Sequence, residues 1–499
     1  MYLALLATSG EGLASTTDPV SQLLVAAVIA AVFTLLAREA AHRVLVIAGA
    51  VAFLWLVTYL TPYRLIGFEA SHRALDLNVL LLLAGMMAVV GVLKTTGVFP
   101  HLVARLLQRS RGLPGVVQQA MFWATGVLSA FLDNVTTVIF MTPMAGEAAG
   151  RTGVRPVVLL LPMVMAANIG GTATLIGDPP NVMIGSGAGL SFMAFLEHLT
   201  VPVLVMMAVI SWFAAWRYRG EVRAAHPAGE VTVPALADPG LARWAAGILA
   251  LVFLGFVTHG ATGMPVAVPA VIGAAALLVV QDVRYLRHTR PTPAERAHGM
   301  LGIIEREIEW PTLSFFAFLF IAVGAAVETG LIDTLATGLI AAIGAANTGL
   351  GLSDAGTLLL AALLICWTSG ILSAFIDNIP YVAVSIPLVA RLTTELPGDT
   401  SVLWWALAMG ACLGGNGTVI GASANVTTVG LAERQGIRIT FGEFARFGAP
   451  VTAMTLAIAS AFLASMIYLG GTVTDAGGMA VFVAVMTARW MWGRRARQA

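Results

Sequence analysis

The chain of 499 residues is far more apolar than a soluble protein of its size. Hydrophobic residues make up 58% of it and charged residues only 11%, whereas soluble domains carry roughly 25% charged residues. The formal net charge of +1 excludes the basic surface of a nucleic-acid-binding protein. We therefore expect an all-α polytopic membrane protein with the lipid bilayer as its surroundings and no nucleic-acid partner.

Apolar stretches that reach or approach the roughly 20 residues of a membrane-spanning helix follow one another along the chain. They include residues 20–36, 44–60, 79–93, 241–257, 266–280 and 451–469. From their order we divide the chain into N-terminal spans (1–75), a first repeat (76–217), a linker with two spans and Arg-rich cytoplasmic loops (218–306), a second repeat (307–470), and a last span with a basic cytoplasmic tail (471–499).

Two motifs occur twice in the sequence. Residues 129–143 read SAFLDNVTTVIFMTP and return as SAFIDNIPYVAVSIP at 373–387. Residues 170–181 read GGTATLIGDPPN and return as GGNGTVIGASAN at 414–425. Both pairs are 244 positions apart, and this common offset indicates a duplicated unit.

The arginines predict that the two copies have opposite orientations, because cytoplasmic loops collect Lys and Arg. Both flanks of the first Asp-Asn motif are basic, which predicts a re-entrant helical hairpin with that motif near its tip. The matching flank of the second copy, residues 331–354, has no Arg or Lys. The arginines that mark cytoplasmic segments are Arg38, Arg43, Arg105, Arg109, Arg111, Arg151, Arg155, Arg217, Arg434, Arg438 and Arg446. We expect two inverted-topology repeats, with the N-terminus outside and the C-terminus cytoplasmic.

The Gly-rich motifs predict a discontinuous transmembrane helix in each repeat. Gly and Pro interrupt helices, and a broken backbone at membrane depth survives only inside protein or beside a water-filled cavity. The free ends of the two half-helices can hold ions or polar solutes. The alternative is a kink for close helix packing, in which the polar side chains bond to other helices.

Asp133 and Asp377 are the single residues that most clearly indicate an ion or proton site. A carboxylate at the bilayer centre costs on the order of 3 kcal/mol, so it is expected to bind cations or carry protons. Each Asp can also cap a half-helix, and the two roles are compatible. Asp178, which stands opposite Ala422, is either a third titratable group or a cap before Pro179.

These motifs resemble the ion transporter superfamily, in the branch of arsenite permeases, arsenite-permease-like sodium/proton antiporters and the melanosomal P protein. Residues 309–313, EWPTL, add to the resemblance. It implies two inverted repeats, each with a hairpin and a discontinuous helix, a homodimer, and elevator-like movement. Carboxylate-transporting relatives carry Ser-Asn-Thr at the hairpin tips, where this chain has Asp133-Asn134 and Asp377-Asn378. The added negative charge argues against di- and tricarboxylate substrates, unless these aspartates are protonated.

The first hypothesis is a proton-coupled secondary transporter that extrudes an inorganic solute, arsenite or antimonite, across a bacterial inner membrane. A sodium/proton antiporter and a channel-like anion permease are the alternatives. No enzyme activity, cofactor or metal site is expected, and a proton or sodium gradient supplies the driving force. Asp133, Asp377 and Asp178 are the coupling candidates. The solute-binding candidates are Asn134, Thr136, Thr137, Gly171, Thr174, Asn181, Asn378, Gly415, Asn416, Thr418, Ser423 and Asn425.

Overall fold

The computed structural model describes residues 18–38, 41–227, 232–289 and 302–498, and within them the regular structure is entirely helical. Eleven helices of these described segments are long and apolar enough to cross a membrane. The predicted all-α membrane fold is confirmed. Residues 1–17 and 290–301, on which part of the predicted topology rests, lie outside the described residues.

The helices follow one another with short connections. The first repeat and the spans before it contain α1 Pro19–Ala37, α2 Arg43–Leu60, α3 Phe68–Ala74, α4 Leu77–Thr95, α5 Val98–Arg109, α6 Pro114–Phe131, α7 Asn134–Thr152, α8 Val157–Gly171, α9 Pro179–Ala188 and α10 Phe192–Arg217. Then come α11 Arg219–Ala224, α12 Pro239–Thr262, α13 Ala267–Thr289, α14 Trp310–Glu328, α15 Leu331–Leu350, α16 Asp354–Ser373, α17 Asn378–Glu395, α18 Val402–Gly414, α19 Ser423–Arg434, α20 Phe441–Leu469 and α21 Gly471–Gln498. Helix α13 continues to Thr289, so the second Arg-rich part of the predicted linker, which starts near Asp282, begins within a helix.

The same order of elements occurs twice, as the repeated motifs predict. A long helix (α4, α14) and a following helix (α5, α15) lead into a helical hairpin (α6–α7, α16–α17). A helix broken at the Gly-rich motif (α8–α9, α18–α19) and a long final helix (α10, α20) complete each unit. The predicted hairpins and discontinuous helices are therefore confirmed.

The two repeats pack on each other reciprocally. The second half of each broken helix contacts the hairpin of the other repeat, α9 against α17 and α19 against α7. The first halves, α8 and α18, contact each other. This exchange brings both hairpin tips and both breaks to the centre of the molecule.

Each helix pair outside this core packs on the repeat other than the one that it precedes in the chain. The pair α12–α13, which precedes the second repeat in the chain, packs on α4 of the first repeat. The pair α1–α2, which precedes the first repeat, packs on α14 of the second. As a result, the start of α2 reaches the second repeat's side of the central site.

Candidate functional site

Each hairpin tip is organised by the aspartate that caps its second helix. Asp133 accepts a hydrogen bond from the Thr136 amide at 2.7 Å and another from the Thr136 hydroxyl. Asp377 accepts from the Ile379 amide at 3.1 Å and from the Ser423 hydroxyl at 2.9 Å. Helix N-termini favour such capping carboxylates because their first amides lack intrahelical partners. The capping role considered from the sequence is present in both repeats.

The glycines of each break allow backbone to approach backbone. A Cβ atom at Gly170 would lie 2.1 Å from the carbonyl oxygen of Gly126 on the hairpin arm. In the second repeat, a Cβ at Gly414 would lie 2.4 Å from the oxygen of Gly370. These distances are below any real Cβ contact, so each broken helix can rest on its hairpin only because both positions are glycine.

In each break, two glycines allow the backbone on either side of the loop to come into close contact. A Cβ at Gly171 would lie 2.5 Å from the Gly177 oxygen, and one at Gly177 would lie 2.6 Å from the Gly171 oxygen. Gly415 and Gly421 repeat this arrangement at 2.9 and 2.7 Å. The Gly-Gly and the later Gly of each motif thus shape a compact loop between the half-helices.

The carbonyl groups freed by the first break are satisfied by an asparagine side chain. Asn181 Nδ2 donates to the oxygens of Gly171, Thr172 and Thr174 at 3.3, 3.1 and 2.9 Å. Such groups would otherwise be costly at membrane depth. Because the amide already fills the space among these carbonyls, Asn181 holds the break together from the inside.

Asn425 does the same in the second break, where its Nδ2 donates to the oxygens of Gly415 and Thr418 at 2.7 and 2.8 Å. The hydroxyls of Thr174 and Thr418 donate to the carbonyls of Ala130 and Ala374, which joins each break to its own hairpin. These side chains thereby position the breaks relative to the tips.

A buried amide network connects the two repeats, and its central residue was missed by sequence reasoning. Asn168 accepts from Asn134 Nδ2 at 3.2 Å and donates to the side-chain oxygens of Asn416 and Asn425 at 3.0 and 2.9 Å. The available signal was that Asn168 is the only polar side chain in the apolar run 157–169. Cys412 stands at the matching position of the second repeat, and its thiol lies 3.5 Å from Asn181 Oδ1.

Asp178 is not a helix cap, although one of the two sequence interpretations assigned it that role. It precedes α9, but its side chain makes no capping hydrogen bond. Its carboxylate instead lies 3.5 Å from Asn378 Nδ2 of the other repeat, and the residue is only 1% exposed. Its role as a third titratable group stays a prediction.

The tips, Asp178 and the start of α2 enclose a cavity of about 500 Å³. The predicted site residues that line it are Asp133, Asn134, Thr136, Asp178, Asp377, Asn378 and Ser423. Glu309 adds a fourth carboxyl, whereas Arg43 and His42 are the basic side chains of the lining. No group of three or more described His, Cys, Asp or Glu side chains is arranged to hold a metal ion.

The remaining predicted residues are not part of the cavity lining. They are Thr137, Gly171, Thr174, Asn181, Gly415, Asn416, Thr418 and Asn425. Several of them build the breaks and the amide network that stand behind the lining. Their direct contact with a solute stays a prediction.

Comparison with known proteins finds relatives by sequence and a solved structure with a similar fold. An uncharacterized transporter of Mycobacterium tuberculosis is 37% identical over 439 residues, which cover 87% of this chain and 96% of that protein. The human P protein is 29% identical over 521 aligned residues, covering 88% of this chain and 59% of that protein. The crystal structure of the YdaH transporter of Alcanivorax borkumensis matches the fold with a TM-score of 0.60 at 16% identity, over 86% of this chain and 99% of that one.

A family model that matches most of the chain shows the family to which it belongs. The model of the family described as Citrate transporter, CitMHS, matches residues 32–410. This range contains both hairpins with their Asp-Asn tips and the first broken helix. The resemblance inferred from the motifs is confirmed, and the chain belongs to the CitMHS family of membrane transporters within the ion transporter superfamily.

Proposed function

We propose that this transporter is a proton-coupled exporter of arsenite or antimonite. The observation that carries the proposal is the convergence of Asp133 and Asp178 from one repeat and Asp377 from the other on a single cavity. Carboxyls inside a membrane protein are expensive and mark ion or proton pathways. Their neighbours, Asn134 and Asn378, supply amide donors and acceptors for a hydroxylated solute.

The charge of the cavity favours a neutral or cationic solute over the citrate that the family's description suggests. Four carboxyl side chains line it, together with the single guanidinium of Arg43. A di- or tricarboxylate would meet like charges in a medium of low dielectric, where repulsion is strong. Neutral arsenous acid instead offers three hydroxyl groups, each able to donate to a carboxylate or amide oxygen.

A sodium/proton antiporter is the second candidate. Carboxylate and amide oxygens are hard ligands suited to small cations, and both types face this cavity. Exchange of sodium for protons would use the same three aspartates. A channel-like anion permease is the third candidate. Uphill movement of the solute under an imposed proton gradient would distinguish either carrier from such a channel.

We further propose that the protein sits in a bacterial inner membrane as a homodimer, with its N-terminus outside and its C-terminus in the cytoplasm. In that orientation the α1–α2 connection is cytoplasmic. The cavity extends to this connection, where Ala41 and His42 are exposed. The described conformation is then open towards the cytoplasm, as an exporter must be to load its solute.

Transport measured in proteoliposomes tests the proposal. Purified protein should move arsenite or antimonite against its gradient when a proton gradient is imposed, and radioactive sodium should not follow. Asp133→Asn and Asp377→Asn should each abolish pH-dependent flux, whereas Asp399→Asn, in an exposed connection, should retain it. Full activity of both site variants would refute the proposal, and sodium flux without arsenite flux would select the second candidate.

A further inference from the structure

Arg43 lies against the acidic cavity although it comes from a helix outside both sets of repeated motifs. It is the first residue of α2 and lines the cavity together with the three aspartates. Sequence reasoning assigned it only to the set of cytoplasmic arginines. A permanently charged guanidinium among four carboxyls is the largest positive contribution to the electrostatics of this site.

The guanidinium reaches two carboxyls through two hydroxyl groups. Arg43 Nη1 donates to Ser423 Oγ at 3.3 Å, and Ser423 in turn donates to Asp377 Oδ2 at 2.9 Å. On the other side, Arg43 Nη2 donates to Thr312 Oγ1 at 2.8 Å, and Thr312 donates to Glu309 Oε2 at 2.8 Å. Glu309 and Thr312 belong to the EWPTL motif, for which the repeats alone provide no role.

The direction of these bonds follows from the chemistry of the groups. A guanidinium can only donate, and an ionised carboxylate can only accept. A hydroxyl between them must therefore accept from the arginine and give its single proton to the carboxylate. Both Ser423 and Thr312 are used in this way, so each joins the guanidinium to a carboxyl by a continuous chain of two hydrogen bonds.

The position of Arg43 is fixed by packing as well as by these bonds. Its guanidinium carbon lies 5.7 Å from the centre of the Phe315 ring, within the range of a cation–π interaction. Among the described residues, its hydrogen bonds go to hydroxyl groups rather than to a carboxylate. The charge is thus held beside the carboxyls through intervening hydroxyl groups.

We propose that Arg43 is a tethered counter-cation of the transport cavity, which sets the pH range in which the acidic side chains exchange protons. The proposal rests on the proposed proton coupling and adds a positioning residue to it. The groups that face Arg43 across the cavity are Asp133 from the first tip, Asp178 before α9, Asp377 from the second tip, Glu309 before α14, and His42 on its own connection. Removing the positive charge leaves these carboxyls without the cation that offsets their negative charge.

The test is the pH profile of transport by Arg43→Gln. The pH of half-maximal exchange should rise by about one to two units, the scale expected for a charge two hydrogen bonds away at an effective dielectric of about 20. Arg43→Lys keeps the charge and should restore most of the wild-type profile. Arg38→Gln is the matched control, since Arg38 is exposed at the end of α1 and does not line the cavity, and its profile should be unchanged.

A second readout separates this inference from the identity of the solute. Infrared titration of the purified protein follows protonated carboxyl groups without any transport, and in Arg43→Gln their band should persist to higher pH than in the wild type. Ser423→Ala keeps Arg43 but removes the hydroxyl that joins it to Asp377, and should give a smaller shift in the same direction. Wild-type titration of Arg43→Gln, or of Ser423→Ala if Arg43→Gln does not fold, would overturn the proposal even if the wild-type protein transports arsenite.

Discussion

At both hairpin tips a hydroxyl group donates to the capping aspartate, but the hydroxyl residue and a proline have exchanged positions between the two repeats. At the first tip, the hydroxyl that donates to Asp133 comes from Thr136 of the hairpin itself, and Pro179 begins α9, the second half of the broken helix. At the second tip, Pro380 replaces that threonine, and Ser423, at the position matching Pro179, donates to Asp377. The first aspartate is therefore satisfied within its own helix, whereas the second depends on another element.

This difference assigns the tips unequal tasks. Asp377 is linked through Ser423 to the charge of Arg43, whereas within the described part of the chain Thr136 joins Asp133 to no cation. The first repeat instead contributes a second acid, Asp178, where the second repeat has Ala422. A duplicated fold has thus produced a cavity with Asp133 and Asp178 on the first repeat's side, whereas Asp377 and Glu309 on the other side are both joined to one cation.

Asp178→Asn tests the acid that only the first repeat contains, and we expect the largest effect from it. Loss of a positioned proton carrier lowers rates by a factor of 100 or more, so pH-driven exchange should fall on the order of 100-fold. Asp354→Asn, an exposed carboxyl of the second repeat, is the control for lost charge. Proteoliposome flux measures both, and normal coupling in Asp178→Asn would mean that the two tips suffice.

Gly170→Ala and Gly414→Ala test whether the repeats are equivalent in packing where they differ in charge. Each added methyl group would collide with the backbone of the hairpin arm, and overpacking costs typically 1–3 kcal/mol even where side chains can move. We expect each variant to lose about 3 kcal/mol or more of stability. Thermal unfolding in detergent measures this loss.

Gly247→Ala is the control for these glycines, because a Cβ atom there meets no atom within 4 Å. It should keep or slightly raise stability, since alanine favours the helix by roughly 1 kcal/mol over glycine. If only one of the two core variants were destabilised, the close approach of helix and hairpin would matter in one repeat alone.

Asn168 and Cys412 stand at matching positions and allow a third comparison. Asn168 makes three hydrogen bonds to buried amides of both repeats, whereas the Cys412 thiol makes one long contact. Leaving a buried polar group unsatisfied costs about 1–3 kcal/mol, so we expect Asn168→Ala to lose about 3 kcal/mol. Cys412→Ala should lose about 1 kcal/mol, the usual scale for trimming a small buried side chain. Equal losses in thermal unfolding would contradict the asymmetry.

The architecture could be predicted from the sequence because each repeated motif is a short, continuous segment. The hairpin tips, the breaks and the caps on Asp133 and Asp377 all depend on neighbours within about ten positions, where Gly, Pro and capping rules apply. The cavity could be located from these motifs for the same reason.

The parts that could not be predicted depend on partners far apart in the chain. Arg43 meets Thr312 and Ser423 only because α1–α2 pack on the second repeat, and no local periodicity encodes that exchange. Asp178 looked like a cap because it precedes two prolines, and its true neighbour, Asn378, lies on the other repeat. Asn181 and Asn425 point into their own breaks, which depends on side-chain direction rather than spacing.

The smallest expected effect concerns Arg155, whose matching position in the second repeat is Asp399. Arg155 donates to Glu221 at 2.8 Å and to Glu443 at 3.2 Å, which joins the α7–α8 connection to α11 and α20. These hydrogen bonds hold the pKa of the Glu221 carboxyl below its usual value. A carboxyl with a lowered pKa stabilises the fold above its unfolded pKa of about 4.3, and the contribution is lost as the pH falls through the folded value.

Arg155→Ala should therefore lower stability by less than about 1 kcal/mol at neutral pH, because the pair is partly exposed and surface ion pairs are screened by water and salt. The loss should shrink both in high salt and below about pH 4, where the wild type also loses the ionised Glu221. Arg151→Ala, which breaks an ion pair within one helix, is the control and should cost less still. A loss for Arg155→Ala that is independent of pH and salt would assign the role of this residue to packing, and the reversal of charge between the repeats would then carry no stabilising function.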